Sequence, residues 1–296
     1  MTKINYKILL PMILFFIISM LSIYSASVFS SNNVLTKQLL WYLIGFVIIL
    51  VLRKKHVKLI IDNAFLLYIC INILLLLLLI FGQEINGSKC WFIIPGIGSF
   101  QPSEFTKLIL IIVNAKTLNY FDKKYKTRTI FTDIKIFLTI MILTLIPSIL
   151  TFLQPDTGIV IIYFLISFIM LFCFGIKKSI FICLITLFLV SVGGFLYFYF
   201  NYENEFINIF GTNFFYRIDR LLDWSNKSGM QLSNALVAIK SSYLTGFGIK
   251  NTPIYIPEAH TDFIFSVFAS NFGLIGSVIL ILTICYFDYN LLKIAS

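Results

Sequence analysis

LIIDNAFLLYICINILLLLLLIF, Leu59–Phe81, holds a single charged residue in a run that matches the roughly 20 residues a helix needs to cross the hydrocarbon core of a bilayer. Whether this is a membrane span or an isolated core helix depends on how often the pattern recurs. Working outward, similar runs stand near Ile8–Tyr24 and Leu39–Leu52 before it. Others follow near Phe105–Leu118, Ile134–Phe152, Gly158–Phe174, Ile180–Phe200 and Phe263–Phe287. The chain reads as an all-α polytopic membrane protein of about eight transmembrane helices. Residues 1–296 form a single integral membrane domain on this reading.

Composition agrees. Hydrophobic residues make up 59% of the chain and charged residues 12%, about half the charge of a soluble domain. Because Lys and Arg collect on cytoplasmic loops, each connection can be given a side. Lys3 and Lys7, Arg53 with Lys54, Lys55 and Lys58, the FDKKYKTRT loop, Lys177 with Lys178, and Lys293 all fall on one side. That places both termini in the cytoplasm. The net charge of +10 is then a matter of membrane orientation and not of nucleic-acid binding.

Met1–Ser27 has a basic start, an apolar stretch and a small-residue SAS, as a secretory signal does; the further spans favour an uncleaved first helix. Of the five cysteines only Cys90 lies outside a span, so no disulfide framework is expected.

Two polar segments assigned to the extracytoplasmic side, Gly82–Glu104 and Asn201–Asp262, are too long for turns. They hold Gly, Pro, aromatics and isolated charges, which marks them as functional loops. In the first, NG, PG and QPS punctuate the chain, Pro102 suits a first helical turn, and Ser103 or Gln101 stands near the cap. Glu104 and Lys107 share a helix face at the mouth of a span, either as a structural ion pair or as a substrate contact. Trp91 alone says little, since Trp commonly sits at the membrane interface. In LQPDTG, Leu153–Gly158, Asp156 is placed to cap the helix that follows.

In the second segment, YRIDRLLDW (Tyr216–Trp224) offers Arg217 and Arg220, which either hold phosphate or pair with Asp219, Asp223 or lipid headgroups. From about Met230 to Tyr243 the spacing fits a short helix on the membrane surface, with Lys240 snorkelling. Next comes IPEAHTDFIF, Ile256–Phe265. Pro257 breaks any helix before it, and Thr261 or Asp262 is the natural N-cap of the span that follows, where a helix N-terminus favours a carboxylate.

Several chemistries drop out. His260 lacks partners for a metal, since His56 lies on the opposite side and cysteine ligation would rest on Cys90 alone. No nucleophile elbow, thiol beside a base or P-loop is present. What remains is a carboxylate at a helix mouth, with Arg and Trp nearby and lipid around it. Such a set suits transfer between membrane-bound sugars. Glycosidases need two carboxylates because the leaving alkoxide must be protonated, whereas a pyrophosphate leaving group needs one base and cations to hold its charge.

INGSKCWF, FQPSEFTKL, LQPDTGI, YRIDR, and IPEAHTDFIF followed by FGLIG stand in this order from about Ile85 to Gly276. Together they resemble the SEDS family (shape, elongation, division and sporulation; RodA, FtsW and SpoVE), and the EAHTDF form looks more like its division and sporulation branch. The resemblance implies a peptidoglycan glycosyltransferase of the bacterial cell membrane that polymerises lipid II. It implies as partners a cognate class B penicillin-binding protein and other divisome or elongasome proteins. By the same resemblance Asp262 is the catalytic residue and Trp91 is important for activity. Glu104 and Lys107 match the PSE-x-x-K pair, Asp156 the QPD-x-G motif, and Glu258 and His260 belong to the block of Asp262. No cofactor is evident, and a divalent cation requirement is not readable.

The chain also departs from the family pattern. Family members have about ten membrane helices, and the last two have no counterpart here. The block after HTDFIF reads ASNFGLIG where acidic residues are usual, and the loop after Arg220 is short. These departures motivate an alternative, a truncated non-catalytic relative acting as a division-complex scaffold or lipid II binder. A lipid II flippase ranks last, because it would set charged groups against each other at mid-membrane depth and the spans hold almost none.

Overall fold

The computed structural model describes residues 5–29, 33–52, 54–85, 88–94, 98–212, 214–216, 218 and 230–295. Its helices and strands, in chain order, are α1 (Tyr6–Ala26), α2 (Val34–Val51), α3 (Lys54–Asp62), α4 (Ala64–Phe81), β1 (Gln83–Ile85), β2 (Ser88–Ile94), β3 (Gly98–Phe100), α5 (Pro102–Lys124), α6 (Ile130–Leu153), α7 (Thr157–Phe174), α8 (Lys178–Asn201), α9 (Glu203–Phe210), α10 (Met230–Ser241) and α11 (Ile264–Ala295). Two compact units divide them. One comprises Met1–Phe46 with Tyr202–Ser296, the other Val47–Asn201.

Among the described residues, six helices are long and apolar enough to cross a membrane: α1, α2, α4, α6, α7 and α11. The chain is thus an all-α, multi-pass membrane protein. The other two expected spans also fall on long helices, α5 and α8. Lys107, Lys116 and Asp122 interrupt the apolar run of α5. The expected span Leu59–Phe81 is shorter than its hydropathy suggested. Asn63 ends α3 by donating its side-chain amide to the Leu59 carbonyl at 2.9 Å, and α4 begins only at Ala64. With 18 residues α4 is about 27 Å long, close to the thickness of the hydrocarbon core.

In the unit Val47–Asn201, α4 to α7 pack around Tyr68, Leu110, Val113, Ile159 and Tyr163, while Phe121, Ile136, Ile140, Leu171 and Ile176 form a second cluster. Lipid cannot hydrogen-bond, so each broken backbone bond needs a partner inside the protein. Pro147 in α6 has no N–H for the Leu143 carbonyl one turn earlier, and the Tyr68 hydroxyl from α4 donates to that carbonyl at 2.7 Å. Farther along, the Asn114 amide donates to Ser167 Oγ at 3.0 Å, and Ser167 lies 2.6 Å from the Thr144 hydroxyl, joining α5, α6 and α7. Such pairs contribute about 0.6 kcal/mol each. At the helix ends, Arg128 donates to the Phe174 carbonyl and pairs with Asp122, both at 2.8 Å. The Lys116 ammonium donates to the last carbonyls of α3, those of Ile61 and Asp62. The segment after α4 is not all loop. β1, β2 and β3 form a small antiparallel sheet in that order, with Gln83 opposite Trp91 and Phe92 opposite Phe100.

In the unit Met1–Phe46 with Tyr202–Ser296, α1 and α10 pack on α11. Its core holds Ala26, Ala238, Ile256, Ala259 and Val267. Helix α11 is broken at Gly273, whose φ of 63° and ψ of −161° lie in a region almost confined to glycine. The chain from Tyr243 to Gly248 crosses the break. Phe247 and Gly248 donate to the Ser270 and Asn271 carbonyls, and the Leu274 and Ile275 amides donate to the carbonyls of Tyr243 and Leu244. The groups freed by the break are therefore satisfied within the unit.

Candidate functional site

Two groups of candidate residues emerge, one in each unit. In the first, Asp156 is the N-cap of α7, as its place before an apolar run suggested. One carboxylate oxygen accepts the Ile159 amide at 3.4 Å. The other accepts the Gln101 side-chain amide at 2.9 Å. Gln101 is the N-cap residue of α5, one of the two positions the sequence offered, but its side chain makes no capping bond and ties the start of α5 to the start of α7 instead. Glu104 and Lys107 form an ion pair of 2.7 Å on the same first turns of α5. Burial raises the Asp156 pKa above the ordinary carboxylate value; the Ile159 amide opposes that, the Glu104 charge adds to it, and Gln101 and Lys107 again lower it.

Beneath this cluster the backbone is pinned by residues that carried no sequence signal. The Tyr163 hydroxyl donates to the Ser103 carbonyl at 2.8 Å, and the buried Gln154 amide donates to the Leu75 carbonyl at 2.8 Å. The Cys90 thiol donates to the Gln154 carbonyl at 3.1 Å, which anchors β2 and leaves the neighbouring Trp91 half-buried on that strand. Burial, with a contribution from the Asp156 charge, pushes the Cys90 thiol up to about 12. A thiol so placed is inert.

The second group is the turn Ile256–Phe263. Ile256 and Ala259 are buried in the core of their unit, and between them Glu258 adopts φ 50°, a left-handed conformation rare for a side-chain-bearing residue. The Glu258 carbonyl accepts the Thr261 and Phe263 amides, and its carboxylate accepts the Thr261 hydroxyl at 3.1 Å. This is a correction to the expected cap. Thr261 spends its hydroxyl on Glu258, α11 begins at Ile264, and the Asp262 side chain accepts no helix N–H. Asp262 is exposed, and among the described residues it has no hydrogen bond or ion pair; His260 is half-buried beside it in sequence. Arg217 and Arg220 lie outside the described residues. Among the described residues no three His, Cys, Asp or Glu side chains gather as a metal site would require.

Trp91, Glu104, Lys107 and Asp156 thus belong to one unit, and Glu258, His260 and Asp262 to the other. Both groups combine a carboxylate at a helix entrance with a backbone held by buried contacts. From residue 2 to residue 296 the chain matches the profile of the FtsW, RodA and SpoVE cell cycle proteins. It belongs to that family. A "Probable peptidoglycan glycosyltransferase FtsW" of Haemophilus influenzae is 34% identical over 232 residues, covering 75% of this chain and 53% of that protein. The chain spans about half the length of the curated FtsW relatives it matches. Among solved structures, a chain of a peptidoglycan synthase complex that coordinates polymerization and crosslinking superposes with a TM-score of 0.75 at 23% identity. It covers 98% of this chain and 78% of that one. The rod shape determining protein RodA of Thermus thermophilus gives a TM-score of 0.61 at 23% identity, over 95% of this chain and 72% of RodA. At such identities the shared property is the fold.

Proposed function

We propose that the chain carries the membrane-embedded site of a peptidoglycan glycosyltransferase that polymerises lipid II into glycan strands at the bacterial cell membrane. Family membership supports the reading, and one local observation carries it: Asp262 is an exposed carboxylate without a partner among the described residues, on a turn whose neighbours Ile256 and Ala259 are buried. Such a group is open to an incoming hydroxyl.

In the proposed step the acceptor sugar's hydroxyl oxygen attacks the anomeric carbon of the donor. The carbon–oxygen bond to pyrophosphate breaks, and the hydroxyl proton passes to Asp262. Pyrophosphate departs as an anion that needs no proton, so cations must steady its charge; Arg217 and Arg220 are the proposed candidates. Trp91, Glu104, Lys107 and Asp156, in their own unit, are proposed as substrate-binding or supporting residues there. Glu258 holds the turn of Asp262 through Thr261, and His260 flanks it in sequence. The proposed partner is a class B penicillin-binding protein, which would cross-link the emerging strands, and the sites face the extracytoplasmic side.

The test is polymer formation from purified lipid II, with the penicillin-binding partner present. Asp262→Ala should abolish glycan strands while the protein still elutes as a folded particle; continued polymerisation by that variant overturns the assignment. Wild-type protein that makes no strands yet co-purifies with its partner would instead identify a non-catalytic scaffold.

A further inference from the structure

Two stretches are left unused by the proposed chemistry, the SAS triplet at the end of α1 and the ASNFG run inside α11. The fold brings them together. Ser25 Oγ accepts the Asn271 side-chain amide at 2.5 Å and the Lys250 backbone N–H at 2.9 Å. Asn271 Oδ1 in turn accepts the Thr252 hydroxyl at 3.2 Å. Ser25 and Asn271 are each 1% exposed. The same stretch of α11 is where the chain from Tyr243 to Gly248 crosses the Gly273 break.

One residue beyond Ser25, Ala26 belongs to the core cluster that buries Ile256 and Ala259. The segment leading to Asp262 is therefore held by the end of α1, through the Lys250 bond to Ser25 and the packing of Ile256 and Ala259 with Ala26, and by Asn271 of α11 at Thr252. Asp262 has no hydrogen bond of its own among the described residues, so what holds its turn decides where its carboxylate stands.

We propose that Ser25 and Asn271 are positioning residues for Asp262, a buried polar lock joining the end of α1, the 243–252 loop and the first half of α11. The proposal rests on the role given to Asp262 above. A pair chosen only for stability could be apolar, because burying matched polar groups in a bilayer contributes little net energy. A hydroxyl and an amide with matched partners specify one arrangement, since any shift leaves a buried polar group without one. Placement errors of about 1 Å lower turnover by up to about 100-fold, and that is the kind of effect the lock prevents.

The experiment compares Ser25→Ala, Asn271→Leu and their combination with Gln38→Leu. Gln38 donates to Ser19 at 3.1 Å in the same unit, a polar pair that does not touch the segment. Two readouts are needed: polymerisation kinetics with lipid II, and the mobility of a spin label on Pro253→Cys, an exposed position of the same segment, in a background without the native cysteines. Each lock variant should lower turnover by about 10- to 100-fold with KM changed less than about twofold. The double variant should be no worse than the poorer single one, and the label should loosen in all three. Gln38→Leu should move neither readout. Wild-type turnover and label mobility in Ser25→Ala overturn the proposal, as does an equal effect from Gln38→Leu. If Asn271→Leu does not fold, Ser25→Ala and Thr252→Val, which remove one hydroxyl each, carry the same test. Should wild-type protein make no polymer, the role of Asp262 falls, and the label readout alone decides whether the lock holds the segment.

Discussion

Asp156 does two jobs with one carboxylate, capping α7 and receiving Gln101 from the start of α5. Only the first was readable in the sequence, because a cap is local and Gln101 lies 55 residues away. The raised pKa has a defined sign. The folded chain keeps the Asp156 proton to higher pH than the unfolded chain, so this residue's contribution to stability is greatest below the ordinary carboxylate value. It falls as the pH rises through the raised folded value and is flat above it. Asp156→Asn keeps an oxygen for the Ile159 amide and should remove that fall, seen as a flatter plot of detergent-solubilised melting temperature between about pH 3 and about pH 7. Asp156→Ala also loses the cap and should cost about 1 kcal/mol more. Cys90 offers a second check at this scale. Buried, with its thiol pushed up to about 12, it should resist maleimide at neutral pH in folded protein and react once the protein is denatured, as peptide mass spectrometry can read.

The helices were legible because bilayer spans announce themselves by length, and the runs read from sequence all fall on helices of the structure. The sheet was not, since strands of three, seven and three residues are too short to show a period. Nor was the split at Asn63, where one side-chain hydrogen bond outweighs a continuous apolar run. The break in α11 was hidden for another reason: FGLIG reads as ordinary helix, and only the crossing strand of backbone requires Gly273 to be glycine. A Cβ there would sit against the Leu244 carbonyl and the Gly246 amide, in a conformation that L-residues avoid. Gly273→Ala should destabilise the protein by at least about 2 kcal/mol, read as a lowered melting temperature in detergent. Tyr68→Phe isolates a subtler device, the replacement bond to the Leu143 carbonyl opposite Pro147. Its loss should cost about 1 kcal/mol by thermal unfolding.

For the whole molecule, charge asymmetry between loops gave an orientation that a fold alone does not contain. In a background without the native cysteines, single cysteines at Lys126 and Lys178 should react with an impermeant maleimide only in inverted vesicles. One at Thr261 should react only in intact cells. The reverse pattern would move the proposed chemistry to the cytoplasm and exclude an extracytoplasmic glycan product. The lock between α1 and α11 also has a consequence in time. Ser25 and Asn271 lie 246 residues apart, and a ribosome adding roughly 5–20 residues per second needs about 12–50 s to cover that distance. Helix α1 therefore waits through synthesis of 246 further residues before the Ser25 hydroxyl meets the Asn271 amide. Elongation rate, and whatever shelters that helix end meanwhile, enters the yield of correctly assembled protein. Any arrest upstream of Asn271 leaves α1 with a partner that does not yet exist.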